Sequence, residues 1–260
     1  MRKRLLLVLA GAVVLGGCIR KDDLTWVREA VQEFNNSDVT IAHEKGTIQT
    51  KDGEETVDES TTVWNAKEKI GYEKMSYMGT TGTLYMYYQQ EGETVKSFHG
   101  ILDQEAEDIV YSEGGEQDAA DFKISSHLDI SEDAKLKHEG VHKEDGVECI
   151  KIKVTETMKQ SYTDKMIEQG VIDKEAMEKD PDAKKILKKG DTNQRVYYIW
   201  LVGKTHELFK KQEDSTIPLQ LTYYAAKTSG AGEVMEYPKS AVYVTKYERN
   251  TEYEEIEKPR

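Results

Sequence analysis

The segment Val147–Thr157 alternates residues of opposite character: Ile150, Ile152 and Val154 are separated by Lys151 and Lys153. A two-residue period gives one apolar and one polar face only when the chain is extended, so this stretch reads as a half-buried strand. The same pattern recurs along most of the chain. Thr40–Thr50 and Thr56–Trp64 flank a Lys51-Asp52-Gly53 turn, and Lys67–Met78 and Leu84–Gln90 flank Gly79-Thr80-Thr81-Gly82. A Glu91-Gly92 turn leads to Thr94–His99, and Glu144-Asp145-Gly146 joins Ala134–His142 to Val147–Thr157. Turns this short pair consecutive strands antiparallel, which makes a meander. Arg195–Val202, Thr205–Gln212, Thr216–Ala226 and Gly232–Glu248 read as four further strands.

Two stretches keep a helical period instead. Behind Asp22 and Asp23, the residues Leu24, Val27, Ala30, Val31 and Phe34 fall on one face at helical spacing. Residues 159–190 form an insertion rich in Lys, Glu and Met, in which Asp180-Pro181 starts a helix and Gly190 closes it. Residues 101–131 are ambiguous. Asp103–Tyr111 fits helix or strand, Glu113–Gln117 a loop, and Asp118–Leu128 a short helix. No linker rich in Gly, Pro or Ser divides the chain. The expectation is one α+β domain over residues 24–250, built on a long antiparallel sheet, with a polar tail at 251–260.

The N-terminus has a different character. Met1-Arg2-Lys3-Arg4 is basic, and the 13 residues from Leu5 to Gly17 carry no charge. That layout is a secretory signal, and the apolar run is too short for a hydrocarbon core that needs about 20 residues. It ends in Leu15-Gly16-Gly17-Cys18, which resembles the bacterial lipobox. The resemblance implies removal of residues 1–17, a diacylglyceryl thioether on the Cys18 sulfur, and a short tether over 18–23. Two acyl chains anchor stably where one is marginal, since each buried methylene adds about 0.8 kcal/mol. The expected location is therefore the extracytoplasmic face of the cell membrane.

The leader holds three of the 36 basic residues and none of the 49 acidic ones, so the remainder carries a formal charge of −16. Such a surface repels polyphosphates, which argues against nucleic acid as a partner. With Cys18 lipidated, Cys149 is the only remaining cysteine and no intrachain disulfide can form; burial in a strand is its expected fate.

An amphipathic N-terminal helix after a lipobox, a long meander and a late strand pair, Tyr197-Tyr198-Ile199-Trp200-Leu201-Val202-Gly203-Lys204-Thr205 followed by Leu208 and Lys210, resemble the LolA/LolB-type lipoprotein-carrier superfamily, which includes Gram-positive lipoproteins of unassigned role. In that group a strand ending in Trp and an aspartate-bearing turn leads to Lys-Thr. Here Val202 and Gly203 stand where the aspartate would be, and the insertion at 159–190 is not typical. The resemblance implies a curved, half-barrel sheet with helices over its concave face or edge. It also implies binding of lipid or acyl chains there without catalysis.

The candidate ligand-binding residues follow from these patterns. Val27, Val31 and Phe34 lie on the helix face, Leu84, Met86 and Tyr88 on one face of a strand, and Tyr77 and Trp200 complete the set. Met and Tyr adapt to irregular apolar ligands, although a covered central strand has the same composition. Tyr162, Met166, Ile167, Met177, Ile186 and Leu187 of the insertion either close the pocket as a lid or pack at the sheet edge. The one motif that suggests an enzyme is His138-Glu139-Gly140-Val141-His142, a match to the zinc-peptidase pattern. That chemistry needs both histidines on one face of a helix. The flanking alternation predicts a strand, where residues four apart are about 13 Å distant. Surface histidines, no catalytic residue, no metal and no cofactor are expected. The main alternative is an interaction or sensor lipoprotein with an envelope protein partner.

The lipobox has a direct test. Cys18→Ala should leave the protein unprocessed, or soluble and absent from the membrane fraction. A variant still processed to the same mass and still carrying lipid would rule out this anchor.

Overall fold

The computed structural model describes residues 24–77, 83–103, 108–190, 192–229, 237–253, 256 and 258–259. The signal, lipobox and tether lie outside the described residues, as does the Gly79–Gly82 turn. A helix α1 (Thr25–Asn35) precedes six strands, β1 (Val39–Gln49), β2 (Glu54–Asn65), β3 (Ile70–Tyr77), β4 (Thr83–Glu91), β5 (Thr94–Asp103) and β6 (Asp108–Asp118). Then come β7 (Lys135–Glu144), β8 (Val147–Thr157), helices α2 (Tyr162–Glu168), α3 (Lys174–Lys179) and α4 (Pro181–Gly190), β9 (Gln194–Val202), β10 (Leu208–Asp214), α5 (Thr216–Ser229) and β11 (Ser240–Arg249).

All eleven strands join one antiparallel sheet in the order β6-β5-β4-β3-β2-β1-β11-β10-β9-β8-β7. Two meanders are thus stitched together where β1 pairs with β11, from Thr40 opposite Arg249 to Gln49 opposite Ser240. β6 and β7 are the edges, so the sheet is an open, curved half-barrel, as expected.

The apolar face of α1 lies on one side of this sheet. Val27, Val31 and Phe34 are almost fully buried against Ile152 and Val154 of β8, Tyr197 and Ile199 of β9, and Tyr247 of β11. The Phe34 ring meets Tyr247 edge-on at 5.3 Å. The irregular segment after β6 crosses the same face to reach β7. Asn35 grips it reciprocally, its Nδ2 donating to the Leu128 carbonyl at 2.8 Å while the Leu128 N–H donates to Oδ1 at 3.2 Å. The Arg28 guanidinium donates to the carbonyls of Ser131, Glu132 and Ala134. Gly71 makes room for this crossing: a Cβ there would lie 2.7 Å from Trp64 and 2.8 Å from Ile124. The expected short helix at Asp118–Leu128 is absent: the segment forms only isolated turns at Asp118–Phe122 and Ile124–His127, and Ala119 and Leu128 bond to Glu93 and Asn35 instead. Of Asp103–Tyr111, left open between helix and strand, Asp103 ends β5 and Asp108–Tyr111 begin β6, while residues 104–107 lie outside the described residues. Glu113–Gln117, expected as a loop, continues β6.

Thr216–Ala226 is a correction of a larger kind. Its β-branched and aromatic residues suggest a strand, but it is helix α5. Asp214 Oδ1 accepts from the Thr216 N–H at 2.9 Å, Pro218 occupies the first turn, and Leu221 and Tyr224 bury one stripe. That stripe packs on Met177 of α3 and on Ala183, Ile186 and Leu187 of α4. Tertiary burial outweighs propensity here. The insertion is helical as predicted. Asp180 Oδ1 caps α4 by accepting from Asp182 and Ala183, and Tyr162, Met166, Ile167, Met177, Ile186 and Leu187 all join the α5 cluster.

Phe34→Ala should lower stability by about 3–5 kcal/mol, because a fully buried ring leaves a cavity. Urea unfolding should show a lower midpoint at unchanged slope. A loss below about 1 kcal/mol would mean that α1 is not part of the cooperative core.

Candidate functional site

The structure splits the expected ligand-binding set into three places. Val27, Val31 and Phe34 come together, but side chains of the sheet and of the crossing segment fill the space beneath them. Met86 lies on that same face, through the register Ala42–Thr62–Glu73–Met86. Three strand spacings separate Met86 from Ala42, about 14 Å. Tyr88 shares its face, with the Phe122 ring at 5.1 Å, and Leu84 is 41% exposed. Tyr77 belongs to β3, and its side chain is outside the described residues. Trp200 is on the opposite face, 2% exposed, with the Lys210 and Lys151 ammonium groups 4.2 and 4.9 Å from its ring.

That opposite face holds a cleft of about 420 Å³. Ile41, Val63 and Tyr72 form its floor, successive cross-strand neighbours on β1, β2 and β3 that strand alternation turns away from α1. Tyr85 and Ile109 extend the apolar wall. The roof comes from the C-terminal segment: the Tyr253 ring lies 6.3 Å from that of Tyr72, tilted by 47°, and its hydroxyl accepts from Asn65 Nδ2 at 3.0 Å, and Ile256 packs beside it. His43, Lys74, Glu248 and Glu252 give the rim its polar character, with His43 Nδ1 3.0 Å from the Thr61 hydroxyl. Residues 251–260 were expected to be a polar tail, so the roof was missed. The available signal was the apolar pair Tyr253 and Ile256, three apart among glutamates.

A second cleft, of about 410 Å³, lies on the α1 face beside α2 and α5 and is lined by charge. Arg195 grips Glu213 with two bonds of 2.7 and 2.6 Å, and Lys211 adds a third contact at 2.9 Å. Burial pushes the Glu213 carboxyl up, but Arg195 and Lys211 outweigh it and hold the group below its usual range. Glu44 accepts from the Thr245 hydroxyl at 3.0 Å, but burial outweighs this bond and the more distant Lys211 and raises its carboxyl above the ordinary value.

The zinc-peptidase motif lies on β7. His138 is opposite Ile152 and His142 opposite Cys149, with a bulge between them at Gly140, and both histidines are exposed. Two exposed histidines this far apart on a strand do not converge on a metal ion. Among the described residues, no group of three or more His, Cys, Asp or Glu is placed to hold one. Cys149 is fully buried in β8, as its strand position predicts, and burial raises its thiol.

No family model and no curated protein matches the chain. Several solved structures are similar at low identity. The lipoprotein LppX of Mycobacterium tuberculosis is 10% identical over 87% of this chain and 95% of its own, with a TM-score of 0.41. LprF from Mycobacterium bovis is 10% identical over 90% and 97%, also at 0.41. A domain from Vibrio parahaemolyticus, provisionally assigned as an outer membrane lipoprotein-sorting protein, is 9% identical over 87% and 93%, at 0.26. The likeness is one of backbone course and carries no information on ligand or partner.

The two buried glutamates predict opposite responses to acid. A raised native pKa means that the Glu44 charge costs stability at neutral pH, a cost that disappears as pH falls through the native value to the unfolded one. Glu44→Gln should therefore be more stable than wild type near about pH 7 and equal to it near about pH 4, by urea unfolding. Glu213→Gln should be less stable near about pH 7, with the deficit shrinking on acidification. The same sign for both variants would contradict this electrostatic assignment.

Proposed function

We propose that the chain is an exported lipoprotein, held at the extracytoplasmic face of the cell membrane by lipid on Cys18, that binds an apolar or lipid-like ligand without catalysis. The observation that carries this reading is the cleft between the Ile41–Val63–Tyr72 floor and the Tyr253–Ile256 roof. A concave apolar site with a few polar groups at its mouth suits an amphiphile: the tail leaves water against the floor and the polar end stays at the rim. Each methylene buried there contributes about 0.8 kcal/mol before losses.

Native mass spectrometry of the purified, unlipidated chain should detect a co-purified lipid. Ile256→Asp should weaken uptake of a fluorescent fatty acid at least about tenfold, the cost of placing an unpaired charge in the site. Met86→Asp, on the α1 face, should leave uptake unchanged. The reverse result would put the ligand on the α1 face, where the sequence expectation had it. Circular dichroism checks that each variant is folded.

One observation favours a second reading. Leu84, Ile101 and Val110 are cross-strand neighbours on β4, β5 and β6, and they are 41, 62 and 60% exposed. An apolar stripe of this kind beside an edge strand suits docking of an envelope protein. If the folded wild type takes up no lipid probe at micromolar concentration, this reading replaces the first.

A further inference from the structure

The face opposite α1 changes character toward the β7 edge. Ile150, Ile152 and Val154 point to the α1 core, so Lys151 and Lys153 of β8 point the other way. The register sets Lys153 beside Lys137 of β7, and Lys135 follows two residues further along the same edge. Glu139 is the carboxylate in their midst: Lys137 reaches it at 2.8 Å, and Lys153 and Lys151 act on it more weakly. Tyr198 and Trp200 lie beside them on β9, with the Lys151 ammonium 4.3 and 4.9 Å from their rings. Farther in, Lys210 is neutralised by Glu144 and Lys246 by Asp145. The edge patch therefore has four lysines against one glutamate, on a chain whose body is strongly acidic.

The position of the N-terminus says what such a patch meets. Leu24 is buried and the Trp26 ring lies 4.5 Å from His206, which places the start of α1 at the β9–β10 turn. That turn is bonded to the first residues of β8, the Gly203 N–H donating to the Glu148 carbonyl at 2.8 Å. The chain thus enters the fold at the end of the strands that carry Lys151, Lys153 and Tyr198. Five residues, Ile19–Asp23, separate Cys18 from Leu24 and reach at most about 17 Å. That is enough to pass around the end of a sheet about 10 Å deep, and it keeps the body within about two Debye lengths of the bilayer.

We infer that the face formed by β7, β8 and β9, through Lys135, Lys137, Lys151 and Lys153, is the surface on which the tethered protein lies against an anionic bilayer. The inference rests on the Cys18 anchor and is independent of the ligand. Each lysine near an anionic surface adds to the attraction, while the acidic remainder is repelled, so the charge selects one orientation out of those the tether permits. The floor of the apolar cleft is on the same face of the sheet, three and more strands away. Lying this way, the protein turns the cleft mouth toward the membrane.

The test uses the intact, lipidated protein reconstituted in vesicles of phosphatidylglycerol or of phosphatidylcholine. Lysine acetylation is read by mass spectrometry at each site. In phosphatidylglycerol, labelling of Lys135, Lys137, Lys151 and Lys153 should fall several-fold relative to phosphatidylcholine, and high salt should restore it. Lys184 and Lys185 on α4 should label equally in both. The double variant Lys151→Glu, Lys153→Glu should lose protection at Lys135 and Lys137 while keeping wild-type affinity for a soluble fluorescent fatty acid. Equal labelling in the two lipids, or protection of the α4 lysines instead, overturns the inference. Loss of fatty-acid binding in a folded double variant overturns it as well, because these lysines would then belong to the ligand site. Failure of the wild type to bind the fatty acid bears only on the proposed ligand and leaves the labelling result to decide the orientation.

Discussion

The pairing of β1 with β11 is the contact on which the rest of the molecule depends. Every other strand pair joins sequence neighbours or spans an insertion, whereas this one closes a loop of about two hundred residues. Without it there are two separate meanders, of six and five strands. With it, α1, which precedes β1, is carried over β8, β9 and β10, whose inward side chains complete its core. The segment after β11 is carried the other way, over β1, β2 and β3, where Tyr253 meets Tyr72. One ladder of hydrogen bonds thus decides what covers each face of the sheet. Its high contact order also makes it a late and slow step of folding.

The two faces are finished by different means. On the α1 side the polar demands of an irregular crossing segment are met side chain by side chain, through Asn35, Arg28 and the Thr40–Ser126 hydroxyl contact. That leaves a filled core at one end of the sheet and, toward α5, a strip where Arg195, Glu213 and Lys211 neutralise one another out of water. Breaking such a group is costly because the remaining charge stays buried. On the other side no helix lies among the described residues, and the sheet keeps an apolar cleft at β1–β3 and a cationic, aromatic surface at β7–β9. The helix-covered core and the open apolar and cationic surfaces are therefore placed on opposite faces of the same strands, which a two-residue side-chain period allows.

Much of this was legible. The alternation in Val147–Thr157 and in the early strands located most of the sheet, the cap and proline at Asp180-Pro181 located α4, and the flanking lysines put the two histidines of the metal-binding pattern on a strand. The helix stripe Val27, Val31, Phe34 was legible as one apolar face, expected to line a ligand site, and the structure packs it into a core. What it faces was not legible, and neither was the cleft, whose floor residues Ile41, Val63 and Tyr72 look like any buried strand positions until the tail is seen above them. Thr216–Ala226 misled because β-branched and aromatic residues favour strands, while the decisive term was the burial of Leu221 and Tyr224 on an insertion distant in sequence.

The sequence by itself determined the properties that follow from neighbours a few residues apart: the strand period, most of the turns, the Asp180 cap of α4 and the excess of acid. Only the tertiary structure decided which strands adjoin, which of two apolar faces a helix covers, and where uncovered apolar and cationic surface remains. The reason is physical. Local periodicity fixes that a strand has two faces, but hydrophobic burial is non-directional and does not specify its partner. The pairing of β1 with β11 makes that choice, and with it places the cleft and the lysine patch on the same side of the sheet.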